Sequence, residues 1–172
     1  MNIITTRQKG FTLIELLLYV SIVGSLLLAV SLFFAMTVDA RIKSQSINEV
    51  DQQGILLMDY ITQTIRNADT ISAPAAGTSS ASLTLTVPTG SLSPTVFDLS
   101  TTTAQVQEGV GTAVPLTSDK VAVSNLIFKN LTRSGTPGIV QVSFTVSRVN
   151  PSGKSEYTYQ KTFTTSAALR QP

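Results

Sequence analysis

Residues 9–24 read KGFTLIELLLYVSIVG, and the carboxylate in the middle of this stretch frames the whole chain. From Phe11 to Met36 the sequence carries one charge, Glu15, in a run of 26 residues. As a helix that run would extend about 39 Å at ~1.5 Å per residue, against the ~30 Å of hydrocarbon in a bilayer. It is long enough to span a membrane. Arg7 and Lys9 precede it, and Asp39, Arg41 and Lys43 follow. A short basic tail ahead of an N-terminal anchor stays in the cytoplasm, which predicts a single-pass protein of the cytoplasmic (inner) membrane with its N-terminus inside and the body, from residue 41 onward, outside.

Outside this run the 172-residue chain is rich in Ser and Thr, and 42% apolar with 13% charged residues suits one compact domain plus appendages. The net charge of +2 is local. Without Arg7 and Lys9 the basic side chains equal the ten acidic ones. Charge therefore gives no support to nucleic acid as a partner, although a local basic patch stays open. With no Cys and no His, the chain has no disulfide framework, thiolate metal site, cysteine nucleophile or His-dependent triad. Nothing in it calls for a cofactor or a metal, and the expectation is a protein that is not an enzyme.

Downstream of the apolar run, Ile47, Val50, Gly54, Leu57, Ile61, Ile65 and Ala68 recur at spacings of three and four, the period of one helix face. Gln45, Glu49, Gln52, Asp59, Gln63 and Arg66 occupy the other sides. Gly24 and Gly54 are the expected soft points of the helix. The stretch APAAGTSSAS at 73–82 reads as a loop, and beyond it the period changes to two. Leu83, Leu85 and Val87 alternate with threonines; Val140, Val142, Phe144 and Val146 alternate with polar residues; Tyr157, Tyr159 and Phe163 share a third phase. Turn chemistry at 134–138 and 150–153 joins strands expected at 121–131, 139–149 and 155–165 into an antiparallel meander. Shorter strands are expected near 96–99, 105–107 and 113–116. An amphipathic helix and a one-faced antiparallel sheet bury each other's apolar surface, which predicts an α+β fold whose sheet wraps the second half of the helix.

Two bland readings of Glu15 come first. An interfacial carboxylate can snorkel or stay protonated near the cytoplasmic edge. Alternatively, residues 1–40 form a secretory signal cut near Val38-Asp39-Ala40, although an apolar run of this length far exceeds the usual ~7–15 residues.

Lys9-Gly10-Phe11-Thr12-Leu13-Ile14-Glu15, followed by an uninterrupted apolar helix, resembles the N-terminal signal of type IV pilins and type II secretion pseudopilins. The resemblance covers about the first 30 residues. It implies a pilin-like fold, with 1–10 a cleaved leader bearing the charges Arg7 and Lys9, 11–36 a transmembrane assembly helix, 37–70 an amphipathic helix on the sheet and 71–172 an exported β domain. It implies that a prepilin peptidase cuts between Gly10 and Phe11 and N-methylates the Phe11 amine. It also implies that Glu15 neutralises a neighbouring subunit's amine and so sets filament register. The partners would be that peptidase, other pilins or pseudopilins, an inner-membrane assembly platform and membrane lipid. The chain lacks the proline deeper in the apolar helix and the C-terminal disulfide loop of many major pilins, and DQQGILLMDYITQTIRNAD at 51–69 resembles J-type minor pseudopilins and related minor pilins. A minor subunit near the tip or in initiation is therefore expected. The machine could be a secretion pseudopilus, a pilus or a DNA-uptake filament.

Other motifs weigh less. Ser118-Asp119-Lys120 reads as a solvated turn rather than a Ser/Lys pair. Gly109-Val110-Gly111 lacks the strand-to-helix setting of a phosphate loop and reads as a turn. Asp98, Glu108 and Asp119 are too dispersed for a calcium site. Asn130-Leu131-Thr132 matches the glycosylation sequon by a pattern common by chance. Tyr157, Tyr159 and Phe163 are better placed in a core than on a stacking platform. The alternative to a purely structural subunit is a filament-borne binding module whose 89–119 loops hold DNA, a secreted substrate or a surface; an ordinary tethered exported domain is the third reading.

Overall fold

The computed structural model describes residues 10–170. Its first element, α1, runs from Leu13 to Asn67, and the chain divides into two compact units between Arg41 and Ile42. In the first unit the large apolar side chains from Phe11 to Met36 are exposed, from 50% for Tyr19 to 79% for Leu13. The apolar stretch reaches a mean hydropathy of 2.5 over an 18-residue window, and the helix is long and apolar enough to cross a membrane. Hydroxyls within the run are folded back onto the helix itself: Ser25 Oγ donates to the Ile22 carbonyl at 2.8 Å and Thr37 Oγ1 to the Phe33 carbonyl at 2.9 Å. Satisfying polar atoms within the helix lowers the cost of placing it in hydrocarbon.

The second unit is α+β. Val50, Leu57, Ile61 and Ile65 on α1 are at most 1% exposed, so the period-3.6 stripe is the buried face, worth roughly 1.5–3 kcal/mol for each large side chain. Among the described residues nine antiparallel strands follow: β1 Thr70–Ala73, β2 Ser79–Ser80, β3 Leu83–Thr86, β4 Thr95–Ser100, β5 Thr103–Glu108, β6 Val114–Pro115, β7 Val121–Asn130, β8 Ile139–Arg148 and β9 Gln160–Ala168. They form two sheets, one ordered β1-β3-β4-β5-β6 and one ordered β2-β7-β8-β9. The expected meander is β7-β8-β9, joined by the turns at 134–138 and 150–153. β8 shows the alternation most plainly, with Val140, Val142, Phe144 and Val146 buried and the residues between them partly exposed.

Three details depart from the sequence reading. The single expected sheet is two, because the strands β3 to β6 pair among themselves and the meander β7-β8-β9 pairs among itself, with short β1 and β2 added to one sheet each. The third meander strand starts at Gln160, since residues 155–157 form a 3-10 turn; Asn150 Nδ2 pins that loop through the Lys154 carbonyl at 2.8 Å and Thr158 Oγ1 at 3.1 Å. In β7 the buried phase switches from Val121 and Val123 to Leu126, Phe128 and Asn130. A bulge between Ser124 and Ile127 makes the switch, with Asn125 at φ +52°. Asn tolerates that left-handed conformation better than most residues.

Polar contacts reinforce the packing of α1 on the four-stranded sheet. Lys161 Nζ donates to Asp51 Oδ1 at 3.0 Å and lies 5.3 Å from the Phe163 ring centroid. Arg148 Nη1 stands 3.7 Å from Glu49 Oε2, an ionic contact too long for a hydrogen bond. On the other side of the helix, Tyr60 donates to Glu108 Oε1 at 3.3 Å. Burial, reinforced by the Glu108 carboxylate, raises the Tyr60 hydroxyl pKa above its usual value.

Gly54 is a close-packing position, not a soft point. It is buried inside α1, and a Cβ there would lie 2.9 Å from Phe163 Cδ2 and overlap Cε2 and Cζ of the same ring. That ring is held by stacking on Phe144, with centroids 5.5 Å apart. Gly54→Ala gains up to about 1 kcal/mol of helix propensity but incurs the ~1–3 kcal/mol of an overpacked core, so net destabilisation is expected. Gly24→Ala meets nothing within 4 Å and retains the propensity gain. Paired denaturation of the two variants in the same detergent checks this; equal stabilities would contradict the packing role.

Candidate functional site

The start of α1 is built by its own residues. Thr12 is the N-cap: its carbonyl accepts from the Leu16 N–H at 3.2 Å, and its Oγ1 accepts from the Glu15 N–H at 3.4 Å. Thr12-Leu13-Ile14-Glu15 thus has the spacing of a capping box, and an acidic group in the first turn is favoured by the helix dipole. The Glu15 carboxylate reaches in the other direction, however, accepting from Tyr19 Oη at 3.3 Å. The Tyr19 ring meets Phe11 edge-on, with centroids 6.0 Å apart and planes at 68°. Glu15 and Tyr19, four residues apart, share one helix face, and the Phe11 ring, just ahead of the helix, reaches Tyr19 on it.

Of the residues singled out from sequence, Gly10 and Phe11 lie exposed just ahead of the helix, and Glu15 lies in its first turn, half-buried among exposed neighbours. Arg7 and Lys9 lie outside the described residues. The sequence reading missed Thr12 and Tyr19. The Thr-x-x-Glu spacing was the available signal for Thr12, and the i, i+4 spacing of Glu15 and Tyr19 was the signal for the other.

The β domain disposes of several weaker motifs. Ser118 Oγ is buried without a hydrogen-bond partner among the described residues. Gly109, at φ +57°, turns the chain between β5 and β6. Asn130 is 4% exposed, its Nδ2 donating to the Pro74 carbonyl at 2.8 Å and its Oδ1 accepting from the Thr132 N–H at 3.0 Å. Its side chain is a structural clamp. Phe163 belongs to the core, and Tyr159 packs partly buried against it. Among the described residues no group of three or more Asp and Glu side chains gathers as a metal site.

No curated protein and no solved structure matches the chain. Residues 5–31, which take in Gly10, Phe11, Glu15 and Tyr19, match the family model of the prokaryotic N-terminal methylation motif.

Proposed function

We propose that the chain is a membrane-anchored structural subunit of a type IV pilus or type II secretion-type pseudopilus. The observation that carries this reading is the placement of Glu15. It is the sole charge of the exposed apolar run 11–36, one turn after the Gly10–Phe11 junction, inside the stretch that matches the methylation motif. A prepilin peptidase cutting between Gly10 and Phe11 creates a new α-amine, cationic at neutral pH given a usual pKa of roughly 8. In a bundle of packed apolar helices that amine is costly unless paired, and Glu15 of a neighbouring subunit supplies the counter-charge. One axial stagger brings the two groups together, so the pair sets register as well as neutrality. The helix partners are other pilins or pseudopilins, lipid and the inner-membrane assembly platform, and the β domain stands outside the membrane.

Within this reading the chain is a minor subunit, incorporated near the tip or at initiation. The J-type resemblance of residues 51–69 supports that placement, as does an apolar helix free of proline.

The test is the intact mass and N-terminal fragment of the protein recovered from membranes of a host carrying its peptidase. The expected chain begins at N-methylated Phe11. A chain that keeps residues 1–10, or one that begins at Arg41, would remove the basis for the filament reading.

A further inference from the structure

Tyr19 is the residue of the apolar run that the methylation chemistry and the anchor leave unexplained. A phenol in hydrocarbon is costly if its hydroxyl has no partner, and so is a carboxylate within a spanning helix. The two groups meet in this helix, Tyr19 Oη donating to Glu15 Oε1 at 3.3 Å. That distance is longer than the roughly 2.5–2.7 Å of a tight O–H···O⁻ bond. It is a loose contact, which a cationic amine can displace.

The ring does a second job. Its edge-on contact with Phe11 at 6.0 Å spans two helical turns and keeps the first residue of the processed chain on the face that carries Glu15. An amine and a carboxylate that must meet partners on adjacent helices are then presented together.

We propose that Tyr19 is a positioning residue: it holds the Glu15 carboxylate in the unassembled subunit and releases it to the Phe11 amine of the next subunit on assembly. This rests on the filament reading above. Tyr19 acts through Glu15 and Phe11, and takes no part in peptide cleavage.

The experiment uses the full chain and two variants, Tyr19→Phe, which keeps the ring, and Tyr19→Leu, which removes both functions. In lipid vesicles without assembly partners, chain labelled with ¹³C at the glutamate carboxylates gives an infrared spectrum from which that of Glu15→Gln is subtracted. The Glu15 band is expected to shift in Tyr19→Phe, a signature that simple packing by the ring does not produce. In the native host, Tyr19→Phe is expected to be cut after Gly10 as fully as the wild type, and to enter filaments about three- to tenfold more readily, because a hydrogen bond that stabilises only the unassembled subunit no longer has to be given up. Tyr19→Leu, which also loses the ring contact with Phe11, is expected to enter filaments less than Tyr19→Phe. An unmoved band, or wild-type incorporation of both variants, overturns the role of Tyr19. Wild-type incorporation of Glu15→Gln instead overturns the pairing of Glu15 with the Phe11 amine, absence of the wild-type chain from filaments overturns the filament reading, and the vesicle spectrum still reports on the contact by itself.

Discussion

Glu15→Ala is expected to leave the chain cut after Gly10 and held in the membrane, while lowering its share of assembled filaments at least about a hundredfold. Two effects of opposite sign meet in this variant. Removing the carboxylate relieves an insertion cost that is roughly 2.5–3.5 kcal/mol at a helix centre and smaller in the first turn, where Glu15 lies, so anchoring improves. In the filament the same change leaves the neighbour's Phe11 amine without a counter-charge in a low-dielectric bundle. Breaking a buried pair from one side costs about 3–5 kcal/mol, or roughly two to four decades in an equilibrium. A bland interfacial Glu therefore predicts a variant at least as competent as the wild type, and a pairing Glu predicts one that accumulates in the membrane. The measurement is the ratio of sheared filament to membrane-bound protein in a host that makes both. Glu15→Asp, which keeps the charge on a stem one methylene shorter, is expected to fall between the two. Undiminished incorporation of Glu15→Ala would return the carboxylate to the interfacial reading.

Where side-chain periodicity is strong, the fold was legible in the residues themselves. The stripe through Val50, Gly54, Leu57, Ile61 and Ile65 announced the buried face of α1, and Val140, Val142, Phe144 and Val146 announced β8, because each pattern records which side of an element is withdrawn from water. The division into two sheets was not legible. Which strands pair is set by backbone hydrogen bonds, so β3 to β6 and β7 to β9 show the same kind of alternation although they lie in separate sheets, and short β1 and β2 join β3 and β7 by pairing alone. The phase switch in β7 lay in plain view in Val121-Ala122-Val123-Ser124-Asn125-Leu126-Ile127-Phe128, where the spacing of buried residues changes from two to three across Asn125. Gly54 was misread because helix propensity describes an isolated helix, and the ring of Phe163, more than a hundred residues away in sequence, decides what that position tolerates. At the candidate site, the residue types around Glu15 pointed to its chemistry, but the direction of its side chain toward Tyr19 required coordinates.

Asn130 shows how a motif and a fold compete for the same residue, and it carries the second large expected effect. Its side chain and backbone close the 74–78 loop onto the end of β7: Nδ2 donates to the Pro74 carbonyl, the backbone N–H donates to the Thr78 carbonyl at 3.0 Å, and the backbone carbonyl accepts from the Gly77 N–H at 2.8 Å. Thr132, the other half of the sequon, is equally engaged, its Oγ1 accepting from the Ile139 N–H at 3.1 Å. Asn130→Asp keeps the shape and the acceptor for Thr132 but turns a donor into an oxygen facing the Pro74 carbonyl. Ionised, the new carboxylate would be 4% exposed with a carbonyl oxygen in front of it, at a cost of about 3–5 kcal/mol. Protonated, it can donate to Pro74 as the amide did. Its folded-state pKa must therefore lie above the unfolded value of roughly 3.9. The unfolded chain gives up its proton first, so the variant's stability relative to the wild type falls as pH rises from about 4, by up to ~1.4 kcal/mol per pH unit, and levels off above the folded pKa. Urea titrations of both proteins in the same detergent at pH 3.5 and pH 7 check this. The expected result is a gap that is small in acid and several kcal/mol at neutral pH. A gap that does not change with pH would mean that the Pro74 contact does not hold the loop, and the sequon would again be open to modification.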